Sequence, residues 1–153
     1  MKKIIITSLS CILLDQIIKI LIINSFALGK SISIIPNFFA LTFVQNTGAA
    51  FSIFSGNLIF LVCITIIALV FIYLFLVKES KNKGFNYYLY GVLYGGIIGN
   101  LIDRIIRGYV IDYLDFNIFG YSFPIFNFAD ICIVVSIFLI VIMSFMEAKH
   151  GKN

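Results

Sequence analysis

"LIFLVCITIIALVFIYLFLV", residues 58–77, runs for twenty residues without a charge. A helix of that length spans about 30 Å, the thickness of the hydrocarbon core of a bilayer. Three more segments of the same kind flank it: 4–23, 87–106 and 128–146. The whole chain agrees with this reading. It has 153 residues, of which 61% are hydrophobic and only 12% charged, and its mean hydropathy is +1.10. Soluble domains are about half apolar and about a quarter charged. The expectation is an α-helical integral membrane protein of four transmembrane helices, forming a single membrane-embedded domain over 1–153.

The start, "MKKIIITSLSCILLDQIIKILII", has the basic front of an export signal, with Lys2 and Lys3. Its apolar run continues well past Cys11 and no mature polar region follows, so it reads as an uncleaved first span. Lys78, Lys81 and Lys83 lie between spans two and three, and Lys2, Lys3, Lys149 and Lys152 lie at the ends. Four spans put all of these on one side, which the positive-inside rule makes the cytoplasm, with both termini there. Segments 24–57 and 107–127 then face outward. Both are rich in Phe, Ile and Tyr, which suits segments that lie on the membrane surface or cover something. "FFALTFVQN" (38–46) has strand-like content and "NTG" (46–48) suggests a turn, so a small β-like outer-side segment is expected.

Several classes of chemistry drop out by inventory. The net charge of +4 comes mostly from border lysines, and no basic stripe with interleaved aromatics suggests nucleic acid. Cys11, Cys63 and Cys132 each lie inside an apolar run, without metal-ligand spacing, and read as buried small hydrophobes. The single histidine, His150, sits in the charged tail and reads as solvated. A histidine-based triad or metal site is thereby excluded, and no cofactor is expected.

The acids sort unevenly. Glu79 and Glu147 lie at the lysine-rich border, whereas Asp15, Asp103, Asp112, Asp115 and Asp130 do not. Ionisable groups near or inside a bilayer are costly, which makes each a functional candidate. Asp15 and Lys19 form an i,i+4 pair in the first span, acid first, with Gln16 marking the polar end of that helix. The plain reading is a mutually neutralising structural pair. Gly91, Gly95 and Gly99 recur every four residues in the third span, a spacing that lets helix backbones approach closely. They lead into "GNLIDRIIRG" (99–108), where Asn100 can reach Asp103 and Arg104, and Asp103 can reach Arg107. Snorkelling accounts for the arginines but not for Asn100 and Asp103, which fit a polar network around a shared cavity.

Asp130 stands three residues after Asn127, the arrangement of an N-cap and an N3 acid that complements the helix dipole. Asp112 and Asp115 sit in the otherwise apolar "VIDYLDF" (110–116), where partial desolvation raises a carboxyl pKa. Two carboxylates, one ionised and one protonated, can hydrolyse an amide without metal or covalent nucleophile. An aspartate pair is the only hydrolytic apparatus this inventory permits. Spacing does not choose between Asp112 and Asp115 as the partner of Asp130.

Four motifs together resemble the lipoprotein, or type II, signal peptidases over nearly the whole chain. They are "DQIIK" (15–19), "QNTGAAFSI" (45–53), "GNLIDRIIRGYVIDYLDF" (99–116) and "FPIFNFAD" (123–130). The resemblance implies a membrane-embedded aspartic endopeptidase that removes the signal peptide of diacylglyceryl-modified prolipoproteins, cutting just before the lipidated cysteine. It implies Asp112 and Asp130 as the catalytic pair, leaving Asp115 a bystander. It also marks Asn46, Gly48, Asn100, Asp103, Arg104 and Asn127 as substrate-binding or supporting, with Asp15 and Lys19 in support. Expected partners are lipidated prolipoprotein signal peptides and membrane lipid. The expected setting is a monomer in the bacterial cytoplasmic membrane, with its active site toward the outer face. Two other classes compete. A small transporter or proton pathway would thread its carboxylates through the bilayer and show an internal repeat, and neither is visible. A purely structural subunit would suit the glycines but leave the outer-side polar groups unexplained.

Overall fold

The computed structural model describes residues 1–49, 53–78, 80 and 84–150, the side chains of 148–150 excepted. Glu79, Lys81, Lys83, Lys152, residues 50–52 of the second motif, and the side chains of Lys149 and His150 lie outside the described residues.

Four helices form where the hydropathy placed them. They are α1 (Lys2–Ser25), α2 (Leu58–Ile72), α3 (Asn86–Arg107) and α4 (Phe128–His150). α2 runs on through a π-helical turn, Tyr73–Val77, so its apolar stretch is the full 58–77. α1 and α3 exceed their expected bounds by two and one residues at each end, and α4 by four at its C-terminal end only, because polar terminal turns remain hydrogen-bonded after hydropathy has fallen. All four are long and apolar enough to cross a membrane. Between them lies an antiparallel sheet in the order β1 (Ser31–Ile35), β2 (Phe39–Asn46), β3 (Val110–Ile118) and β4 (Tyr121–Ser122). The strand-like "FFALTFVQN" is β2. β3 was not anticipated: segment 107–127 read only as a surface or covering segment. Its half-polar "VIDYLDFNI" lacks strict alternation, and pairing with β2, Asp112 opposite Val44, makes it a strand.

The bundle is organised by small residues on α3, the most buried of the four helices, while α2 is the least buried. A methyl group on Gly91 would lie 2.7 Å from Thr7 Cβ, and one on Gly95 2.5 Å from Cys11 Cβ. The expected glycine stripe therefore seats α1 directly against α3. Gly96, on the adjacent face, was not singled out. Its added Cβ would sit 2.5 Å from the Ala129 carbonyl oxygen at the start of α4. Gly96→Ala must therefore displace backbone, and it is expected to destabilise the protein by about 1–3 kcal/mol. A thermal melt in detergent that matches wild type would refute this.

Two apolar clusters mark the ends of the bundle. Ile4, Val77, Leu89, Tyr90, Leu93 and Ile140 pack at one end. Ile22, Phe43, Ile111 and Tyr113 pack at the other, joining α1 to the sheet. The cysteines differ from expectation: Cys132 is buried, Cys11 half-buried and Cys63 exposed. In a bilayer an exposed apolar side chain meets lipid, so exposure costs Cys63 nothing.

Candidate active site

At the sheet end, the polar residues of α1, α3, α4 and the sheet meet in one network. It starts from Lys19, which is fully buried on α1. Its ammonium contacts Asp15 Oδ2, Asp103 Oδ2 and Asn100 Oδ1, each at 2.9 Å. These three contacts use all three of its donors. Asp15 and Lys19 do pair as the spacing suggested, and Asp103 makes the pair a triad.

Asp103 does more than neutralise. Its Oδ1 accepts from Arg107 at 2.7 Å and from Gln16 at 3.1 Å. Its Oδ2 also accepts the Ile111 backbone N–H at 3.2 Å. Gly108, at φ 79°, ends α3 in a left-handed turn that glycine enters without steric cost. The chain thus reverses at Gly108 and is tied back to α3 at Ile111, which fixes where the next residue, Asp112, lies.

Asn100 departs from the spacing argument. It bonds neither Asp103 nor Arg104. Its amide donates to Asp130 Oδ1 at 2.8 Å, and its carbonyl accepts from Lys19 and from Asn127 Nδ2 at 3.2 Å. Helix geometry allows i,i+3 and i,i+4 contacts, but neighbouring helices offered partners that were better placed. Asn127 is the junction. Its side-chain amide also donates to Asp112 Oδ1 at 2.6 Å.

Asn127 and Asp130 form the capping box that the sequence suggested. Asp130 N–H donates to Asn127 Oδ1 at 3.0 Å, and Asn127 N–H donates to Asp130 Oδ2 at 3.1 Å. The other first-turn donors are taken from outside the helix. Phe128 N–H donates to the Tyr113 hydroxyl at 3.1 Å, and Ala129 N–H donates to Asp15 Oδ1 at 3.2 Å. Side chains of α1 and β3 therefore orient the helix start that carries Asp130. Tyr113 was missed, because an aromatic in an aromatic segment gives no sign that its hydroxyl caps a distant helix. Gln16 was read only as the polar end of α1. It also bonds Gly99 O at 3.2 Å and accepts from Arg107 at 3.2 Å.

Asp112 receives Asn46 Nδ2 on Oδ2 at 2.9 Å. Asn46 Oδ1 accepts Gly48 N–H at 2.9 Å, forming the turn that "NTG" implied, and Arg104 donates to the Gly48 carbonyl at 3.0 Å. Arg104 Nε is buried with no partner among the described residues. Burial, and next the charge of Asp130, push the Asp112 carboxyl up to about 7, against the opposing pull of the Asn46 and Asn127 donors. Asp115 points elsewhere and accepts from Thr42 at 2.7 Å. Asp112, Asp130, Asn46 and Arg104 line one cavity of about 620 Å³. Its remaining walls are apolar and include Phe123, Phe126, Ile131 and Val134. Among the described residues no group of His, Cys, Asp or Glu could hold a metal ion.

Such an arrangement offers a buried carboxyl, Asp112, and a half-buried one, Asp130, joined through one asparagine at the polar end of an apolar cavity. Residues 7–146 match the family model described as "Signal peptidase (SPase) II". A lipoprotein signal peptidase of Staphylococcus haemolyticus is 39% identical over 147 residues, covering 96% of this chain and 93% of its own. One from Staphylococcus aureus is 38% identical over 142 residues, covering 93% and 87%. A solved structure described as a bacterial membrane enzyme superposes with a TM-score of 0.88 at 34% identity, covering 100% of this chain and 93% of that one. A second bacterial membrane enzyme gives 0.83 at 37% identity, with 94% and 92% covered. Two carboxyls in one cavity fit an aspartic peptidase, and the matches in sequence and fold run nearly end to end: the chain belongs to the signal peptidase II family.

Proposed function

We propose that this multi-pass bacterial membrane protein removes signal peptides from prolipoproteins with Asp112 and Asp130 as its catalytic pair. The substrate is a diacylglyceryl-modified precursor, and the scissile bond is the one just before the lipidated cysteine. The observation that carries this reading is the pair of carboxyls bridged by Asn127 at the polar end of the cavity. A water between them loses a proton to Asp130 as its oxygen bonds the scissile carbonyl carbon. Asp112 donates its proton to the carbonyl oxygen. On collapse the C–N bond breaks, the amine takes the proton from Asp130, and the hydroxyl proton returns to Asp112. The role of acid falls to Asp112 because its carboxyl retains a proton near neutrality. Asp130, at a helix N-terminus and accepting from Asn100 and the Asn127 N–H, suits the base.

The remaining assignments rest on the same frame. Arg104 and Asn46 hold the Gly48 turn beside the cavity, and the buried Arg104 Nε is available to a substrate carbonyl. The lysine pattern supports cytoplasmic termini, which turn the site to the outer face of the cytoplasmic membrane. One monomer of one domain, 1–153, supplies every group named. A transporter reading has less support: the clustered polar groups sit at the sheet end, and the cluster at the other end is apolar.

The test is cleavage of a lipidated precursor in membranes as a function of pH. An acid that must hold its proton makes the rate fall as pH rises through about 7. Asn46→Ala removes a donor that stabilises ionised Asp112. The variant's alkaline limb is expected at higher pH than that of wild type. A limb that stays put or moves lower would reassign the acid.

A further inference from the structure

The distal edge of the sheet carries a feature that catalysis leaves unused. β3 and β4 pair Ile118 with Tyr121, so Phe119 and Gly120 alone form the turn. Both have positive φ, 52° and 85°. That is the pattern of a type I′ hairpin turn, in which Asn or Asp normally precedes Gly. A bulky aromatic there is a genuine outlier, since its Cβ crowds the backbone. Gly120 N–H is held by Asn117 Oδ1 at 2.9 Å, so the turn is well formed in spite of Phe119. The Phe119 ring is fully exposed and gains no cover from the rest of the chain in return.

Its surroundings are of one kind. The β1–β2 turn lies alongside, tied by Asn117 N–H to the Phe38 carbonyl at 2.9 Å and by the Phe38–Phe116 ring contact. Ile35, Phe38, Ile118 and Tyr121 are exposed around Phe119. Neither 31–39 nor 116–126 contains a charged residue. Pro36 and Pro124 lie in these segments, but an edge that faced water would ordinarily carry charge as well to prevent association. The sheet is short, and both β3 and β4 lead within a few residues to the ends of spans α3 and α4. Through Phe123 the patch continues to Ile131 and Val134, on the outward surface of α4.

We propose that the paired hairpin tips form a membrane-docking edge, with the Phe119 ring inserted at the acyl–headgroup boundary of the leaflet beside the active site. The occupant is lipid, because the patch is continuous with the apolar surface of the spans and carries no charge for a polar partner. Insertion offsets the strained backbone at Phe119. It also pins the sheet to the bilayer, so that the cavity opens toward the lipid from which a lipidated precursor arrives. The docking rests on the membrane placement of the four helices and not on the aspartate pair.

The chain has no tryptophan, so Phe119→Trp places a single reporter at the tip. The variant, checked for a wild-type melt, is reconstituted in phosphatidylcholine vesicles with and without bromine on the acyl chains. Strong quenching by brominated lipid, with little by aqueous acrylamide, is the expected result. Quenching by acrylamide alone would put the tip in water and overturn the proposal. Shielding from both quenchers would place a protein partner there and overturn it equally. Because the readout needs no cleavage, its failure is distinguishable from failure of the catalytic assignment.

Discussion

Asp130→Asn is expected to lower cleavage of a diacylglyceryl-modified precursor by roughly 10²–10⁴-fold, the range for removing one member of an acid–base pair. The amide is close in shape and can still accept the Asn127 N–H, so the helix cap survives the change. What is lost is the ability to take a proton from water. Asp112→Asn should be as damaging for the complementary reason, since an amide cannot donate a proton to the carbonyl oxygen and take it back. The two groups act on one water, so the double variant should be little worse than the worse single one. Asp115→Asn is the control. It removes a charge near the same strand but touches Thr42, not the cavity. Near-normal cleavage by Asp130→Asn in membranes would sink the dyad, and so would additive losses in the double variant.

The second large effect is on stability. Lys19→Met is expected to cost about 3–5 kcal/mol, the penalty of breaking a buried ion pair by deleting one partner. Lys19, Asp15 and Asp103 are all fully buried, and the ammonium contacts both carboxylates. Removing it leaves Asp15 facing Asp103, with one cation, Arg107, and the donors of Gln16, Ala129 N–H and Ile111 N–H to offset their charge. Because Asp15 also holds the Ala129 N–H, and Lys19 reaches Asp130 through Asn100, the damage should spread to the start of α4. Adding Asp103→Asn to Lys19→Met removes one stranded charge and should recover part of the loss. Melting of the single variant in detergent at the wild-type temperature would show that the triad contributes nothing. Equal melting of single and double variants would show that the stranded charges are not the cause.

Much of the molecule was legible in one dimension because its strongest signals are local. A charge-free run such as 58–77 declares a membrane helix by itself, since lipid leaves the backbone no option but to satisfy its own hydrogen bonds. The capping box was equally local, as Asn127 and Asp130 need only three residues and a helix start. The pairing of Asp15 with Lys19 is one turn of helix. Each of these is decided within a few residues, and each is found in the structure.

What failed was whatever needed a partner far along the chain. Helical spacing assigned Asn100 to Asp103 and Arg104, yet it bonds Lys19 and Asp130, 81 and 30 positions away. β3 carried too weak a pattern to be seen without β2. Tyr113 and Gly96 act on the first turn of α4 from β3 and α3, and nothing in their local sequence signals it. The choice of Asp112 over Asp115 belongs here too. Spacing left it open and family resemblance favoured Asp112, while in the fold only Asp112 shares the cavity with Asp130.

Composition and local pattern were enough, then, for four membrane spans and a capped helix carrying an aspartate. Spacing left open which carboxyls meet, and the tertiary structure brings Asp112, not Asp115, into the cavity with Asp130. The physical reason is that hydropathy and capping are short-range energies, summed along the chain. A carboxyl pair is defined by the donors around it, and here those come from β2, α3 and the N-terminal cap of α4 at once.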